Sequence, residues 1–442
     1  MAPPLITTTG TSSAYGYAPL NSNSSGPTWI GVYARGTTST PFIAVDNSNN
    51  VFVNSAGTLL KIAIDGSLTS QKSNTLPIGG ILYSASENAI YSSTTGAASF
   101  NSRLTKVNAT TYAQIASVEI GNGSSSNSVT SAGPVYVNSA GTSVYCAVTY
   151  SDYTVSTYSY IGLSVFNSTF GVRTLETKYG WSNSPIGGQT HANVFGGGFV
   201  FYNNNFYFGG QSNNVGSSQA NILKCNTSGS FTCYGFSGTS SQSSGLIVDG
   251  SGYLYFRYSN SSGYFLAKVQ DNGSSYTTIW ARQFTVGAGT VYQAGGSTTD
   301  LNGNSYLPFV YTNGGSSVAI ILKYDASGNL VWQRSIDGGT ATINIGNALA
   351  KGNVVYVSLG IGNNSVICKL PSDGSGTGSY TIGGQSITYA TVSTISSASA
   401  SPGNPVSITA PSFGGVGVSS PLSGVAAGTV TTPSLAYNYG AV

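Results

Sequence analysis

The sequence contains very few charged residues. Only 6% of its 442 residues are Asp, Glu, Lys or Arg, against about a quarter in ordinary soluble domains. The 15 basic and 12 acidic residues leave a net charge of +3, which is too small to create a basic field over a protein of this size. Nucleic acid and anionic membranes are therefore not expected as partners.

Cysteine, long apolar runs and an export signal are also scarce or missing. Four cysteines are too few for a disulfide framework. The longest apolar runs, such as VAIIL at 318–322, are far too short to cross a bilayer. The first residues, MAPPLITTTGTSS, contain neither a basic segment nor an apolar core of signal-peptide length. We therefore expect a protein made in the cytoplasm, without Sec-type export or membrane insertion.

The acidic residues and the single histidine offer little catalytic chemistry. Nine acids lie beside Gly, Asn or Ser in turn sequences, where a carboxylate accepts backbone N–H bonds: Asp46, Asp65, Glu87, Asp249, Asp271, Asp300, Asp325, Asp337 and Asp373. The other three, Glu119, Asp152 and Glu176, are expected to be solvated or ion-paired. His191 is the only histidine, and no Gly-x-Ser-x-Gly elbow accompanies it. We predict no catalytic residues, no enzyme activity and no cofactor.

Three segments imitate the start of a calcium-binding loop. They are DNSNN (46–50), DLNGN (300–304) and DASGN (325–329). None has the bidentate Glu that closes such a loop. Ordinary turns are therefore predicted, without a metal.

In place of charge the chain carries Gly, Ser, Thr and Asn, with 30 Tyr and 17 Phe. The segment ILKYDASGNLVWQRSI (321–336) has the pattern of a complete hairpin, and degraded copies of it recur along the chain. The copies share a column, at a mean spacing of about 51 residues, of six lysines and one serine: Lys61, Lys106, Ser164, Lys224, Lys268, Lys323 and Lys369.

A second column of aromatic residues precedes the first in every copy: Phe52, Tyr91, Tyr145, Tyr207, Tyr255, Tyr306 and Tyr356. Each repeat therefore contains four short alternating strands joined by turns. This pattern is typical of a propeller blade, and a single blade cannot bury both faces of its sheet. We predict an all-β, seven-bladed β-propeller of four-stranded antiparallel blades, with the aromatic column in its core.

The propeller is predicted to span residues 28–382, with extended uncharged arms at 1–27 and 383–442. TWIGVYAR (28–35) resembles the last strand of a blade but lacks preceding strands, so we infer that it closes the last blade. SYTIGG (379–384) competes for that place. Within the C-terminal arm, QSITYATVSTI (385–395) has strand character, which indicates a small β element or strand addition to a neighbour.

Two sets of residues are candidates for binding. The lysine column has two interpretations: a ring of ammonium groups that binds acidic sugars or an acidic partner, or inherited repeat geometry with solvated tips. The long insertion TYSDYTVSTYSY (149–160) supplies four tyrosines, each with a flat apolar face and a polar tip: Tyr150, Tyr153, Tyr158 and Tyr160.

Cys225 and Cys233 align with Tyr324 and Trp332 of the hairpin. This alignment predicts a cross-strand pair. The two thiols either form a hairpin disulfide or remain free as small hydrophobic side chains.

ILKYDASGNLVWQRSI, together with VDNSNNVFV and VDGSGYLYF, resembles the propeller repeats of structural and adhesin-like proteins of tailed bacteriophages, marine ones especially. The resemblance covers about residues 28–382. It implies a virion component of the tail, a fibre or a knob. Its arms would bind other virion proteins, and its loops would contact a host-surface glycan or neighbouring subunits. The alternatives are a purely architectural tail-nozzle or capsid-decoration protein and, less favoured, a polysaccharide depolymerase.

Overall fold

The protein is an all-β, seven-bladed β-propeller of four-stranded antiparallel blades, as the two columns predict. The computed structural model describes residues 16–19, 27–34, 40–72, 80–93, 102–120, 127–152, 158–171, 173–181, 199–214, 217–236, 242–260, 263–286, 289–313, 315–393, 395–400 and 405–407. Across these ranges there is no helix with the length and apolar character needed to cross a membrane. The chain divides into two compact units.

The first unit holds blades 1, 6 and 7. Blade 1 consists of β3 (Phe42–Val45), β4 (Val51–Ser55), β5 (Thr58–Ile62) and β6 (Leu68–Lys72). Blade 6 consists of β23 (Thr290–Ala294), β25 (Ser305–Asn313), β26 (Ser316–Tyr324) and β27 (Leu330–Asp337), with the short β24 (Thr298–Thr299) beside β25. Blade 7 begins with β28 (Ile343–Lys351), β29 (Val354–Ile361) and β30 (Asn364–Pro371).

The second unit holds blades 2 to 5. Blade 2 consists of β7 (Ile81–Ser84), β8 (Ala89–Ser93), β9 (Ser102–Asn108) and β10 (Gln114–Ile120). Blade 3 consists of β11 (Asn127–Val137), β12 (Ser143–Asp152), β13 (Tyr158–Asn167) and β14 (Arg173–Trp181). Blade 4 consists of β15 (Phe199–Tyr202), β16 (Asn205–Asn214), β17 (Ser217–Asn226) and β18 (Phe231–Gly235). Blade 5 consists of β19 (Gln242–Val248), β20 (Leu254–Asn260), β21 (Gly263–Asp271) and β22 (Tyr276–Val286).

A five-residue turn recurs between the strands. At Asp325, Oδ1 accepts the backbone N–H groups of Ser327 and Asn329 at 2.9 and 2.8 Å. The fourth residue, Gly328, has a φ of 83°, which glycine adopts without strain. The same hydrogen bonds form in the turns that start at Asp46, Asn226, Asp249 and Asp300. The Asp/Asn and Gly/Asn pattern of the repeat therefore sets the strand ends.

The fourth strand of blade 7 is β2 (Trp29–Ala34), which pairs antiparallel with β30 from Trp29 opposite Lys369 to Ala34 opposite Asn364. The N-terminal part of the chain thus completes the last blade, and β1 (Gly16–Pro19) adds a further strand outside β2. The competing segment forms β31 (Gly378–Ile382), which belongs to the sheet of blade 6.

The C-terminal segment forms fifth strands on blades 6, 5 and 4. These strands are β32 (Gln385–Thr391) beside β27, β33 (Ile395–Ala400) beside β22 and β34 (Val406–Ser407) beside β18. The described part of the predicted C-terminal arm therefore adds strands to the chain's own blades rather than extending away from them.

The core lies between the faces of adjacent blades. In the first unit, one cluster joins blades 6 and 7, and another joins blade 7 to blade 1 around Trp29, Tyr33 and Tyr356. In the second unit, three clusters join blades 2 and 3, 3 and 4, and 4 and 5. Each blade is thus stabilised by burying apolar side chains against its neighbours within the unit.

Candidate functional site

The lysine and aromatic columns lie directly opposite each other on neighbouring strands. Six pairs are Cα partners: Phe52 and Lys61, Tyr91 and Lys106, Tyr207 and Lys224, Tyr255 and Lys268, Tyr306 and Lys323, and Tyr356 and Lys369. In five of them, all except the Tyr207 pair, Nζ lies between 5.1 and 6.0 Å from the centre of the facing ring. Such an ammonium group is attracted to the ring's negative face.

In blade 3 the predicted position of the lysine column, Ser164, is wrong by one residue. Tyr145 is opposite Val165, whereas Ser164 is opposite Cys146. The turn that follows begins at Asn167, because the backbone N–H of Phe170 donates to the carbonyl oxygen of Asn167. Counting back from this turn makes Val165 the equivalent of the column lysines, so blade 3 replaces the ammonium group with an apolar side chain.

Four of the lysines bond to the turn of the next blade in the chain order, with blade 1 following blade 7. The Nζ groups of Lys106, Lys224, Lys323 and Lys369 donate to the carbonyl oxygens of Ser168, Gly273, Ser372 and Ile64, at 3.0, 3.3, 2.8 and 3.2 Å. The last of these bonds links blade 7 to blade 1 within the first unit. We call each such contact, from a column lysine to the next blade's turn, a blade latch.

Acidic side chains neutralise the ammonium groups of three column lysines. Lys106 pairs with Glu87 at 2.6 Å, Lys224 with Asp271 at 2.7 Å, and Lys268 with Asp249 at 3.5 Å. The same carboxylates accept the hydroxyl groups of Tyr91, Tyr207 and Tyr255. Since an unpaired buried charge is costly, this sharing lets the lysine, the tyrosine and the acid be buried together.

At least three of the column lysines are therefore neither members of an open ring of ammonium groups nor solvated tips. Lys106 and Lys268 are each 6% exposed, and Lys369 is 1% exposed. Burial lowers the pKa of Lys323 and of Lys369, because a charged amine loses hydration there. Their Nζ donors are directed to turn carbonyls, which leaves little capacity to bind an acidic sugar.

Sequence reasoning missed the tryptophan and arginine that reinforce a latch. Trp332 Nε1 donates to the carbonyl oxygen of Ser372 at 3.1 Å, the oxygen that also accepts Lys323. Arg334 Nε donates to the carbonyl oxygen of Gly374 at 2.6 Å. Trp29 repeats this arrangement, because its Nε1 and Lys369 Nζ both donate to Ile64. Trp332 and Arg334 are two residues apart in the hairpin sequence, but the turn that they contact lies 40 residues away.

The turn interpretation of the aspartates is confirmed. All eight accept a backbone N–H from two residues further along: Asp46, Asp65, Asp249, Asp271, Asp300, Asp325, Asp337 and Asp373. The N–H bond from Ser375, with its hydroxyl, lowers the pKa of Asp373 by stabilising the carboxylate. Glu87 differs, because it accepts hydrogen bonds from two side chains, the hydroxyl group of Tyr91 and the ammonium group of Lys106.

The three calcium-like segments also form turns. In two of them, Asp46 and Asp300 use Oδ1 for backbone N–H groups and Oδ2 for the side-chain amides of Asn50 and Asn304; Asp325 and Asn329 do the same. Across the described ranges, no three His, Cys, Asp or Glu side chains converge as metal ligands.

The predicted pairing of Cys225 with Cys233 is wrong. Cys225 is opposite Phe231, and Cys233 is opposite Leu223, so the two cysteines are diagonal rather than facing. Both are free and buried, as are Cys146 and Cys368. Burial raises the pKa of the Cys225 thiol to about 12, because the thiolate loses hydration. These cysteines act as small hydrophobic side chains.

The predicted tyrosine set is only partly within the described residues. Tyr150 and Tyr160 are Cα partners on β12 and β13, and Tyr158 is opposite Asp152. Tyr153 and His191 lie outside the described residues. Glu119 and Glu176 lie on the outer strands β10 and β14. The backbone of blade 3 thus forms a long hairpin that carries three of the four candidate tyrosines.

No protein-family model matches the chain, and no curated protein matches it. Solved structures with similarity include a catalytically inactive virginiamycin B lyase from Staphylococcus aureus, with 12% identity, coverage of 77% of this chain and 99% of the other, and a TM-score of 0.45. Kuenenia stuttgartiensis hydrazine synthase has 11% identity, coverage of 76% and 96%, and a TM-score of 0.46. The β-propeller domain of Vanderwaltozyma polyspora Nup133 has 10% identity, coverage of 82% and 100%, and a TM-score of 0.41.

Proposed function

We propose that the protein is a structural component of a tailed-phage virion, whose propeller provides contact surfaces rather than catalytic groups. The observation that carries this proposal is the use of the ionisable side chains within the described residues. The repeat lysines bond to turns and carboxylates, and eight aspartates shape turns. This arrangement favours a rigid, nearly non-ionic particle component, and it agrees with the resemblance to phage propeller repeats.

The binding partners that we propose for the protein are other virion proteins and a host-surface glycan. Because β1 and β32 to β34 pair with the blades, we assign the virion contacts to residues 1–15 and 408–442. The β12–β13 hairpin is assigned to the glycan, because its strands carry Tyr150, Tyr158 and Tyr160 and are ten residues long, as are β16 and β17. Long hairpins that carry tyrosine present flat surfaces to which sugar rings bind.

Particle incorporation tests the virion role. Particles are assembled with chains lacking residues 1–15 or 408–442, and the amount of the chain per particle is measured by immunoblot. Both truncations leave every described strand intact, so circular dichroism should match the full chain while incorporation is lost. Normal incorporation of both truncated chains would contradict the anchoring role.

Binding assays then separate an adhesin from a purely architectural protein. The isolated full chain is applied to a glycan array and to host cells, with a Tyr150→Ala, Tyr160→Ala double variant as the matched control. An adhesin binds in both assays, and the double variant loses that binding. Silence in both assays favours a tail-nozzle or capsid-decoration role, and release of reducing ends from host polysaccharide would indicate a depolymerase.

A further inference from the structure

Blade 4 departs from the repeat at the residue that opens the turn between its first two strands. In blades 5 and 6 this residue is Asp249 or Asp300, which lies two residues after the Cα partner of the column tyrosine. It accepts the hydroxyl group of that tyrosine. In blade 4 the partner of Tyr207 is Val200, so the equivalent residue is Tyr202. An aromatic ring therefore replaces the turn carboxylate.

Blade 5 supplies the carboxylate that blade 4 lacks at this position. The hydroxyl group of Tyr207 donates to Asp271 Oδ2 at 2.7 Å, and Lys224 pairs with the same oxygen at 2.7 Å. Both column residues of blade 4 thus have an acidic partner without one at position 202. The hydroxyl group of Tyr202 makes no hydrogen bond to another described residue, so the fold does not use it.

Tyr202 is exposed but held in one place. It is 37% exposed, and it is the only aromatic residue among the exposed large hydrophobic residues of the described ranges. The ring lies against the backbone of Gly252 in blade 5, where an added Cβ would clash with ring atoms and the hydroxyl oxygen. Gly252 also has a φ of 86°, which glycine adopts without strain. The turn of blade 5 therefore supports one side of the ring, and the rest of the ring faces solvent.

Polar side chains with free hydrogen-bonding groups adjoin this ring. Asn203 and Asn204 follow it directly and are exposed, and their side-chain amides have no hydrogen-bond partner in the described part of the chain. In the turns of blades 1 and 6, by contrast, the amides of Asn50 and Asn304 donate to the turn aspartate. The hydroxyl group of Ser251, also exposed, has no partner among the described residues either.

The charged side chains of these two blades are paired, which favours an uncharged ligand. Lys224 pairs with Asp271, and Lys268 pairs with Asp249, so neither sign of charge dominates around the turns. A single exposed ring is also far smaller than a protein interface, which buries about 800 Å² on each partner. One ring matches the size of one sugar residue.

We propose that the turns of blades 4 and 5 form a binding site for a neutral sugar, made of Tyr202, Asn203, Asn204 and Ser251. The apolar C–H face of a pyranose ring packs on the tyrosine ring. The amides both donate and accept, so they can bind adjacent sugar hydroxyl groups. Antibodies use the same residue types, a rigid tyrosine with adaptable asparagine and serine, for contact surfaces. The inference goes beyond the proposed function, because this site needs neither a virion nor the β12–β13 hairpin.

Saturation-transfer-difference NMR with the isolated full chain tests this site. The probes are the methyl glycosides of glucose, galactose, mannose and N-acetylglucosamine, with the methyl glycoside of glucuronic acid as the acidic counterpart. We expect at least one neutral glycoside to bind, with the strongest saturation on the protons of one ring face. Tyr202→Ala should weaken that binding about tenfold, as the loss of one ring contact predicts. Tyr202→Phe keeps the ring and should bind more tightly than Tyr202→Ala.

Two further variants make the test specific. Leu301→Ala is the matched control, because Leu301 is the exposed apolar residue in the equivalent turn of blade 6, and it should bind as the unaltered chain does. Asn203→Gly with Asn204→Gly removes both amides but accepts the φ values of 48° and 59° found there. This double variant should also weaken binding, and it replaces Tyr202→Ala if that variant fails to fold.

Three results would overturn the proposal. They are the absence of binding by all four neutral glycosides, tighter binding of the acidic glycoside, and unchanged binding by both the Tyr202→Ala and the glycine variants. Binding that is lost only in the Tyr150→Ala, Tyr160→Ala double variant would place the sugar on the β12–β13 hairpin. That result would contradict this site while supporting the glycan contact proposed above.

Discussion

At the residue scale, the repeat lysines stabilise the propeller because each places its ammonium group against a facing aromatic ring, a neighbouring turn or both. Lys369 combines both contacts, with Tyr356 and with the Ile64 carbonyl. The sequence revealed the period of this column but not its partners, which lie 49 to 305 residues away. Burial of a long polar side chain depends on those distant turns, and no local pattern encodes it.

The buried tyrosines predict a loss of stability at alkaline pH. Burial, together with the charge of Asp300, raises the pKa of Tyr306 well above its usual value. Because the folded-state pKa exceeds the unfolded value of about 10, this contribution is fully present below pH 10 and is lost as the pH rises further. Denaturant titrations from about pH 9 to about pH 11 should show a shallower decline for Tyr306→Phe than for the unaltered chain. Parallel declines would contradict this assignment.

At the element scale, a bulge in β28 brings blade 7 close to blade 1 within the first unit. The register shifts between Ile345 and Ala348. Asn347, inside the bulge, donates from Nδ2 to the Ile43 carbonyl and accepts the Ile43 N–H at Oδ1. One side chain therefore satisfies both backbone groups of a residue on β3, as an adjacent strand would.

This close approach predicts that Gly346→Ala destabilises the protein. A Cβ at Gly346 would lie 1.8 Å from the Pro41 carbonyl oxygen. The backbone must shift to relieve that clash, which costs about 1–3 kcal/mol or more. Gly250→Ala is the matched control, because nothing lies within 4 Å of its added Cβ. Equal free energies of unfolding for the two variants would contradict this prediction, because they would mean that the backbone of the bulge moves away from the added Cβ at no cost.

The elements also show where sequence reasoning failed. The strand pattern and the Asp/Asn turns predicted the blades, since they depend on local chemistry. The blade 3 column was misplaced by one residue, because Ser164 resembles a polar column residue while the equivalent Val165 does not. The cysteine pair failed for a different reason: in the template hairpin Tyr324 is opposite Leu330, not Trp332, so the aligned positions do not face each other in either hairpin.

At the scale of the whole molecule, the N-terminal strand completes the last blade. Trp29, Ile30, Val32 and Tyr33 are all at most 2% exposed. Burial contributes about 1.5–3 kcal/mol for each large apolar side chain. The sum is comparable with the whole stability of a domain, about 5–15 kcal/mol.

Two truncations test this closure. Removal of residues 1–34 takes away β2 and should abolish cooperative unfolding, whereas removal of residues 1–27 leaves β2 in place and should lower the stability only slightly. Denaturant titration followed by tryptophan fluorescence measures both. A chain without residues 1–34 that unfolds at the same denaturant concentration as the full chain would exclude β2 as the closing strand.

The most direct test of the central claim is the accessibility of the repeat lysines, measured by amine-specific labelling and peptide mass spectrometry. Because Lys106, Lys268 and Lys369 are buried, they should react slowly in the folded protein and at ordinary rates once urea unfolds it, while the half-buried Lys61 reacts sooner. Equal labelling of all four lysines in the folded chain would contradict the account, because it would mean that the column faces solvent.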